Sequence, residues 1–292
     1  MMLYLSSFDF PGEKAEYNFR AFSNRGRMTC YQSLYPFGIL PQRQLESIIF
    51  RPVTILYGGN GSGKSTVLNI IAQSLGLQRD SAYNRSDFYD DFLSLCHYRL
   101  ENPLPAGSRI ITSDDVFDFM LDIRAVNDGI EQNRRQLAAD YWDLQHSDFK
   151  LRSMEDYDQL KKMNDARRKT ISRFVGTRSQ DSVREQSNGE SALQYFRQRI
   201  ESDTLCLLDE PENSLSAENQ VILSDFLAES VRYCGCQLVI STHSPFLLAL
   251  PGAKIIDLDH GSRVVDSWAE LKNMRVWHDF FSAHSAEFDA CD

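Results

Sequence analysis

The chain has 292 residues, room for one large domain or two small ones. With 42% hydrophobic and 25% charged residues it has the balance of a protein that buries a core, yet it holds no apolar run of roughly 18 residues that could cross a membrane. The formal net charge of -10 argues against a surface built throughout for nucleic acid, and allows at most a local basic stripe.

The first residues, Met1-Met2-Leu3-Tyr4-Leu5, carry no basic and apolar leader, and the 6 cysteines are scattered without zinc-ligand spacing. The expectation is a cytoplasmic protein with reduced thiols and no membrane insertion. Residues 1–50 read as short strands and turns: apolar patches at 3–10, 17–22 and 28–34 are separated by Pro11-Gly12, Asn24-Arg25-Gly26 and Tyr35-Pro36-Phe37-Gly38. Val53–Tyr57 is a β-branched run suited to a strand buried on both faces. Lys64–Leu75 shows helical spacing through Val67, Leu68, Ile71 and Leu75, with Gly76 at the C-cap.

Residues 113–182 change texture, being rich in charge and poor in proline. Two helices are expected there, over 114–145 and 154–174, too short for a long coiled-coil arm, since about 30 residues span only about 45 Å. The clusters Asn133-Arg134-Arg135 and Ala166-Arg167-Arg168-Lys169 read as solvated helix faces. Beyond them, a helix over 191–200, a strand over 204–208, a helix over 221–233, a strand over Gln237–Ser241 and a strand over 253–258 alternate as in a parallel sheet covered by helices. The expected fold is therefore α/β: a mainly parallel sheet with helices on both faces, an antiparallel N-terminal β part and a helical insertion. The expected domains are a core of 1–112 and 183–262, an insertion of 113–182, and a tail of 263–292 with no assigned structure.

Gly58-Gly59-Asn60-Gly61-Ser62-Gly63-Lys64-Ser65 matches the P-loop pattern between a buried strand and a helix. Glycines let successive N–H groups turn toward phosphate oxygens, and the helix beginning at Lys64 adds the positive end of its dipole. Gly58, Asn60, Gly61, Ser62, Gly63, Lys64, Ser65 and Thr66 are thus candidate nucleotide-binding residues, with Lys64 between the β- and γ-phosphates and Ser65 on Mg²⁺. Leu205-Cys206-Leu207-Leu208-Asp209-Glu210 carries two acids to the carboxyl end of a strand, the ligand-binding edge of such sheets. Asp209 is the candidate Mg²⁺ ligand and Glu210 the candidate general base. Asp87, Asp90 and Asp91 read as loop acids.

Two further motifs follow in order. Ser187-Asn188-Gly189-Glu190 opens a helix 20 residues before Asp209 (209 − 189), and Ser241-Thr242-His243-Ser244 lies 33 residues after Glu210 (243 − 210). Together these motifs resemble the ATP-binding-cassette ATPases, in their non-transporter, chromosome-maintenance, DNA-repair and RecF-like branch. The likeness is to small bacterial stand-alone ATPases and spans nearly all of residues 1–260. It implies ATP and Mg²⁺ as ligands, and a head-to-tail homodimer formed around ATP. In it Ser187, Asn188, Gly189 and Glu190 of one copy meet the γ-phosphate held by the other, and His243 contacts that phosphate and the attacking water. Asp114 stands nearest the family's glutamine position and is a third candidate metal ligand, and Ser216 stands nearest an aspartate the family has. No aromatic residue is assigned to the adenine. The expected function is an ATPase switch acting on DNA or on a partner effector protein, in repair or phage defence; the alternative is the energising subunit of a membrane transporter.

Overall fold

A computed structural model describes residues 2–25, 27, 33–146, 157–179, 188–213 and 215–289. They divide into two compact units, Met1–Val116 with Asn188–Asp292, and Phe117–Ser187.

The first unit contains two sheets. Strands β1 (Leu5–Asp9), β2 (Ser47–Ile49) and β4 (His97–Leu100) form an antiparallel sheet in the order β2-β1-β4. Strands β3 (Val53–Tyr57), β5 (Arg109–Thr112), β6 (Leu205–Asp209), β7 (Gln237–Ser241), β8 (Lys254–Asp257) and β9 (Arg263–Val265) form the second, ordered β5-β6-β7-β3-β8-β9. Every pairing in it is parallel except that of β9 with β8. All five residues of β3 and of β7 are buried, as the unbroken apolar runs require of strands covered on both faces. The buried Gln237 joins the two sheets: its amide oxygen accepts from the backbone N–H groups of Tyr4 and Leu5, and its Nε2 donates to the Leu5 carbonyl. Every polar atom of the amide head is thereby used, which is what allows it inside the core.

Helix α2 (Lys64–Leu75) buries Val67, Leu68, Ile70 and Ile71, and Gly76 caps it in the left-handed region, donating to the Ala72 and Gln73 carbonyls. Helix α7 (Asn188–Arg199) precedes β6, and α8 (Ala217–Tyr233), capped by the Ser216 hydroxyl on the Asn219 N–H, joins β6 to β7. Short helices α3 (Tyr89–Leu93) and α9 (Pro245–Leu248) complete this part.

Three expectations are corrected or filled in. The patch at 17–22 is helical, within α1 (Glu13–Phe22), because Glu13 and Glu16 favour the first turn and Phe19 turns inward to stack on Phe37 at 4.7 Å. The described part of 154–174 is two helices, α5 (Tyr157–Arg168) and α6 (Ile171–Gly176), broken where Thr170 adopts an extended conformation. The tail beyond 263 contributes β9, α10 (Lys272–Ala283) and α11 (Ser285–Asp289).

The second unit comprises most of α4 (Ser113–His146), with α5 and α6. Among its described residues Tyr141, Ala166 and Phe174 form a buried cluster flanked by Leu144, Ile171 and Val175, and Met120 and Met163 are buried as well. The Tyr141 hydroxyl donates to the Lys169 carbonyl, and the Arg178 guanidinium lies 4.0 Å from the Phe174 ring centroid. No helix among the described residues is long and apolar enough to cross a membrane.

Candidate nucleotide site

Strand order alone explains how distant motifs meet. β6, β7, β3 and β8 are consecutive and parallel, so their carboxyl ends emerge side by side, about 4.8 Å apart from one strand to the next. β6 delivers Asp209 and Glu210, β7 delivers His243, β3 delivers the P-loop, and β8 delivers Asp259.

The P-loop turns through Gly61 (φ 77°) and Gly63 (φ 96°), left-handed positions that favour glycine. Lys64, at the start of α2, has a buried side chain whose Nζ donates to the carbonyls of Gly58 at 2.8 Å and Gly59 at 3.2 Å. The same Nζ lies 3.1 Å from His243 Nε2 and 3.4 Å from Glu210 Oε1, and the imidazole and carboxylate are themselves 3.1 Å apart. His243 Nε2 has one position for a proton: protonated it donates to Glu210, unprotonated it accepts from Lys64. The three groups form one triangle.

Glu210 adopts a left-handed backbone (φ 48°), uncommon for a residue with a β-carbon and held here by its N–H, which donates to the Ser241 carbonyl at 3.0 Å. This turn carries its carboxylate off the strand end, where Asn213 donates to Oε2 at 3.1 Å. Hydrogen bonding from His243, followed by the bond from Asn213 and the Lys64 charge, outweighs partial burial and brings the Glu210 carboxyl down to about 2. Asp209 shifts the other way: burial pushes its carboxyl up, against hydrogen bonds from Ser241 (2.5 Å) and Ser65. Ser65 and Asp209 therefore stand next to each other, one hydroxyl and one carboxylate, hard oxygen donors of the kind Mg²⁺ takes together with phosphate and water. No group of three or more His, Cys, Asp or Glu among the described residues could hold a metal ion, so a cation here would complete its shell from phosphates and water.

A cavity of about 460 Å³ opens over the P-loop, lined by residues 60–66, by Glu210, and by Ile39, Gln42 and Arg43. The last three come from the first fifty residues, read from sequence as short strands and turns. Arg43 donates to the Gly61 carbonyl at 3.0 Å, and Asp259 Oδ2 accepts from the Gly59 N–H at 2.7 Å, so a cation and an anion brace the loop from outside. Tyr35 meets the Thr66 hydroxyl at 3.3 Å. Asn60, Gly61 and Ser65 are exposed to the cavity side, while Ser62 is buried.

The expected signature residues are described in part. Ser187 and the side chain of Asn188 lie outside the described residues; Asn188 opens α7, Gly189 is buried, and Glu190 is exposed. A β-carbon on Gly189 would collide with Nδ2 of Asn219, the movable end of a side chain in the first turn of α8. Because α8 starts just beyond the end of β6, this contact brings the α7 N-terminus to the same edge of the sheet as Glu210. Asp114 is exposed on the first turn of α4, and none of the described bonds joins it to Ser65 or Asp209. Its neighbour Asp115 is the buried one, accepting from the Thr112 N–H at 2.6 Å and hydroxyl at 2.8 Å, at the strand end in register with Asp209.

Residues 183–249, which span Gly189, Asp209, Glu210 and His243, match the family model described as "AAA domain, putative AbiEii toxin, Type IV TA system". No curated protein matches the chain. Among solved structures it is similar to a dimeric, post-hydrolysis ATP-binding cassette bound to ADP and Pi, at 16% identity and a TM-score of 0.36, over 76% of this chain and 90% of that one. It is also similar to an SmcHead bound to the C-winged helix domain of ScpA, at 16% identity and a TM-score of 0.36, over 75% of this chain and 92% of that one.

Proposed function

We propose that this chain, a P-loop ATPase of the ATP-binding-cassette type and of the non-transporter branch, hydrolyses MgATP in a site that a second copy of itself completes. The observation that carries the reading is the triangle of Lys64, His243 and Glu210, all within 3.4 Å at the mouth of the P-loop cavity.

In this reading the phosphates enter along the N–H groups of residues 61–66 and the N-terminus of α2. Lys64 leaves the Gly58 and Gly59 carbonyls for the β- and γ-phosphates. Its departure removes one of the charges that hold the Glu210 carboxyl low, so the carboxylate becomes a better proton acceptor when substrate is present. Glu210 then takes a proton from the water whose oxygen bonds to the γ-phosphorus, as the bond from that phosphorus to the departing ADP oxygen breaks. His243 orients the carboxylate through Nε2 in the resting site, and turns that one proton toward the γ-phosphate oxygens when substrate is bound. Ser65 and Asp209 would hold Mg²⁺, which supplies positive charge to the phosphates.

The composite site is supported by the position of the α7 N-terminus: Gly189 packs against Asn219 in the first turn of α8, the helix that follows β6 and Glu210. The signature of one copy caps the nucleotide of the other, through Ser187 and Gly189. Mixing Lys64→Ala with Ser187→Arg protomers tests this, because the heterodimer keeps one intact site. Each parent alone is expected to be inactive and the mixture to recover ATPase activity; no recovery at any ratio would speak against a shared site in which one intact half hydrolyses ATP.

Of the two targets expected for the switch, an effector protein is favoured over DNA by the toxin-system description of the matching family and by the net charge of -10. ATP-dependent retention on DNA that falls steeply between low and high salt would reverse that preference.

A further inference from the structure

We infer that Glu212 is a positioning residue for His243: its carboxylate fixes the backbone that carries the imidazole, without touching nucleotide-binding groups itself. The inference rests on the hydrolysis reading above for its effect on rate, and on geometry alone for its effect on the loop.

Glu212 lies two residues beyond Glu210, in the turn that follows β6, and only 9% of its surface is exposed. Its side chain reaches to the neighbouring strand end, where Oε1 receives three donors: the Thr242 hydroxyl at 2.7 Å, the His243 N–H at 2.6 Å and the Ser244 N–H at 3.2 Å. These are consecutive residues, and the middle one carries the ring of the triangle. Oε2 is buried with no hydrogen-bond partner among the described residues. Enclosing a carboxylate with one oxygen triply used and the other unused is costly, so packing economy does not account for an acid here. An acceptor of high charge density at this spot does one thing a neutral side chain does less well: it holds three adjacent donors in a single turn.

The division of labour is clean. His243 touches Lys64 and Glu210 through its ring, and Glu212 through its backbone. None of the described hydrogen bonds or ion pairs links the Glu212 side chain to Lys64 or Glu210; the bonds of its carboxylate run to residues 242–244, and through them to the imidazole. Placement errors near 1 Å in such a group cost up to about 10²-fold in rate.

The test compares Glu212→Ala, Glu212→Asp and Glu212→Gln, each alone, and Glu212→Ala together with His243→Ala. Two readouts are used, steady-state ATPase kinetics and amide hydrogen exchange of the peptide containing residues 241–246. Glu212→Ala is expected to lower kcat by about 10-fold to 100-fold and to leave ATP affinity within about twofold, because the P-loop is built on another strand. Glu212→Gln, whose amide oxygen can still accept, recovers most of that loss. The double variant is expected to be no slower than His243→Ala alone, within about twofold, since the two act through one group. Exchange at His243 and Ser244 speeds up in Glu212→Ala and Glu212→Asp, while P-loop peptides stay unchanged. Should Glu212→Ala fail to fold, Glu212→Asp, one methylene too short for all three donors, takes its place with the same expectations. An unchanged kcat, a double variant slower than His243→Ala by the full product of the two single effects, or unaltered exchange at 243 and 244 would each overturn the inference. If the unaltered protein hydrolyses no ATP, the hydrolysis reading fails, and the exchange experiment still decides the role of Glu212.

Discussion

The two units of the chain differ in how many independent constraints hold each important side chain. At the sheet edge, the Lys64 ammonium has two carbonyls, an imidazole and a carboxylate within 3.4 Å, and the neighbouring P-loop is braced by Arg43 and Asp259. The helical unit, by contrast, is centred on Tyr141, Ala166 and Phe174, and its rim is closed by bonds such as Lys169 and Arg178 to Asp165. Exposed ion pairs of that kind contribute little each. The comparison teaches that redundancy is concentrated where phosphate chemistry demands placement, while the cluster around Phe174 rests on side-chain packing.

Substitutions can break this contrast in a graded way. Removing the ammonium with Lys64→Ala deletes about two charge-assisted bonds to phosphate at roughly 2 kcal/mol each, so ATP affinity measured by calorimetry should fall about 10³-fold. Binding within tenfold of the parent would mean the cradle does not depend on this lysine. Replacing the base with Glu210→Gln should leave affinity intact and cut kcat by roughly 10²-fold to 10³-fold in a steady-state phosphate-release assay. A smaller loss would shift the proton-accepting role elsewhere.

On the other side of the comparison, Phe174→Ala removes a buried ring from the cluster it forms with Tyr141 and Ala166. About 3 kcal/mol of local stability should go, seen as faster amide exchange across residues 157–179, with ATP affinity changed less than twofold. Equal loss of nucleotide binding would show that the units are not separable in this sense. The smallest effect concerns acid. Because the Glu210 carboxyl is held down at about 2, it binds its proton less readily in the folded chain than when unfolded. Its contribution to stability is complete above the ordinary carboxylate range and is lost as pH falls from there toward 2. The melting temperature of the parent should exceed that of Glu210→Gln by a few degrees near neutrality, and the gap should close on acidification. A gap that widens in acid would contradict the Lys64–His243–Glu210 arrangement.

Much of this edge was readable from sequence because each motif is confined to a few consecutive residues of forced chemistry. Val53–Tyr57, Lys64–Leu75 and Gln237–Ser241 have the bounds their patterns predict, since burial on both faces or on one helical stripe leaves few alternatives. What could not be read depends on loops brought together over long separations. Asp259 meets Gly59 across 200 residues, and Arg43 reaches Gly61 from a segment that reads as short strands and turns. Glu212 looks like one more acid in an acidic turn until β7 is known to lie beside β6. Between the adjacent acids Asp114 and Asp115, spacing offers no choice; the hydrogen bonds to Thr112 single out Asp115 as the buried one. The residues at 17–22 read as strand because six residues are too short a window to separate period 2 from period 3.6. The break at Thr170 carries neither glycine nor proline to announce it.

Mass in solution puts the shared site to its most direct test. Light scattering on Glu210→Gln at saturating MgATP, with nucleotide occupancy checked by calorimetry, should give twice the mass of one chain, and the mass of a single chain when ATP is withheld. A particle of one chain's mass with the nucleotide site full would contradict the account.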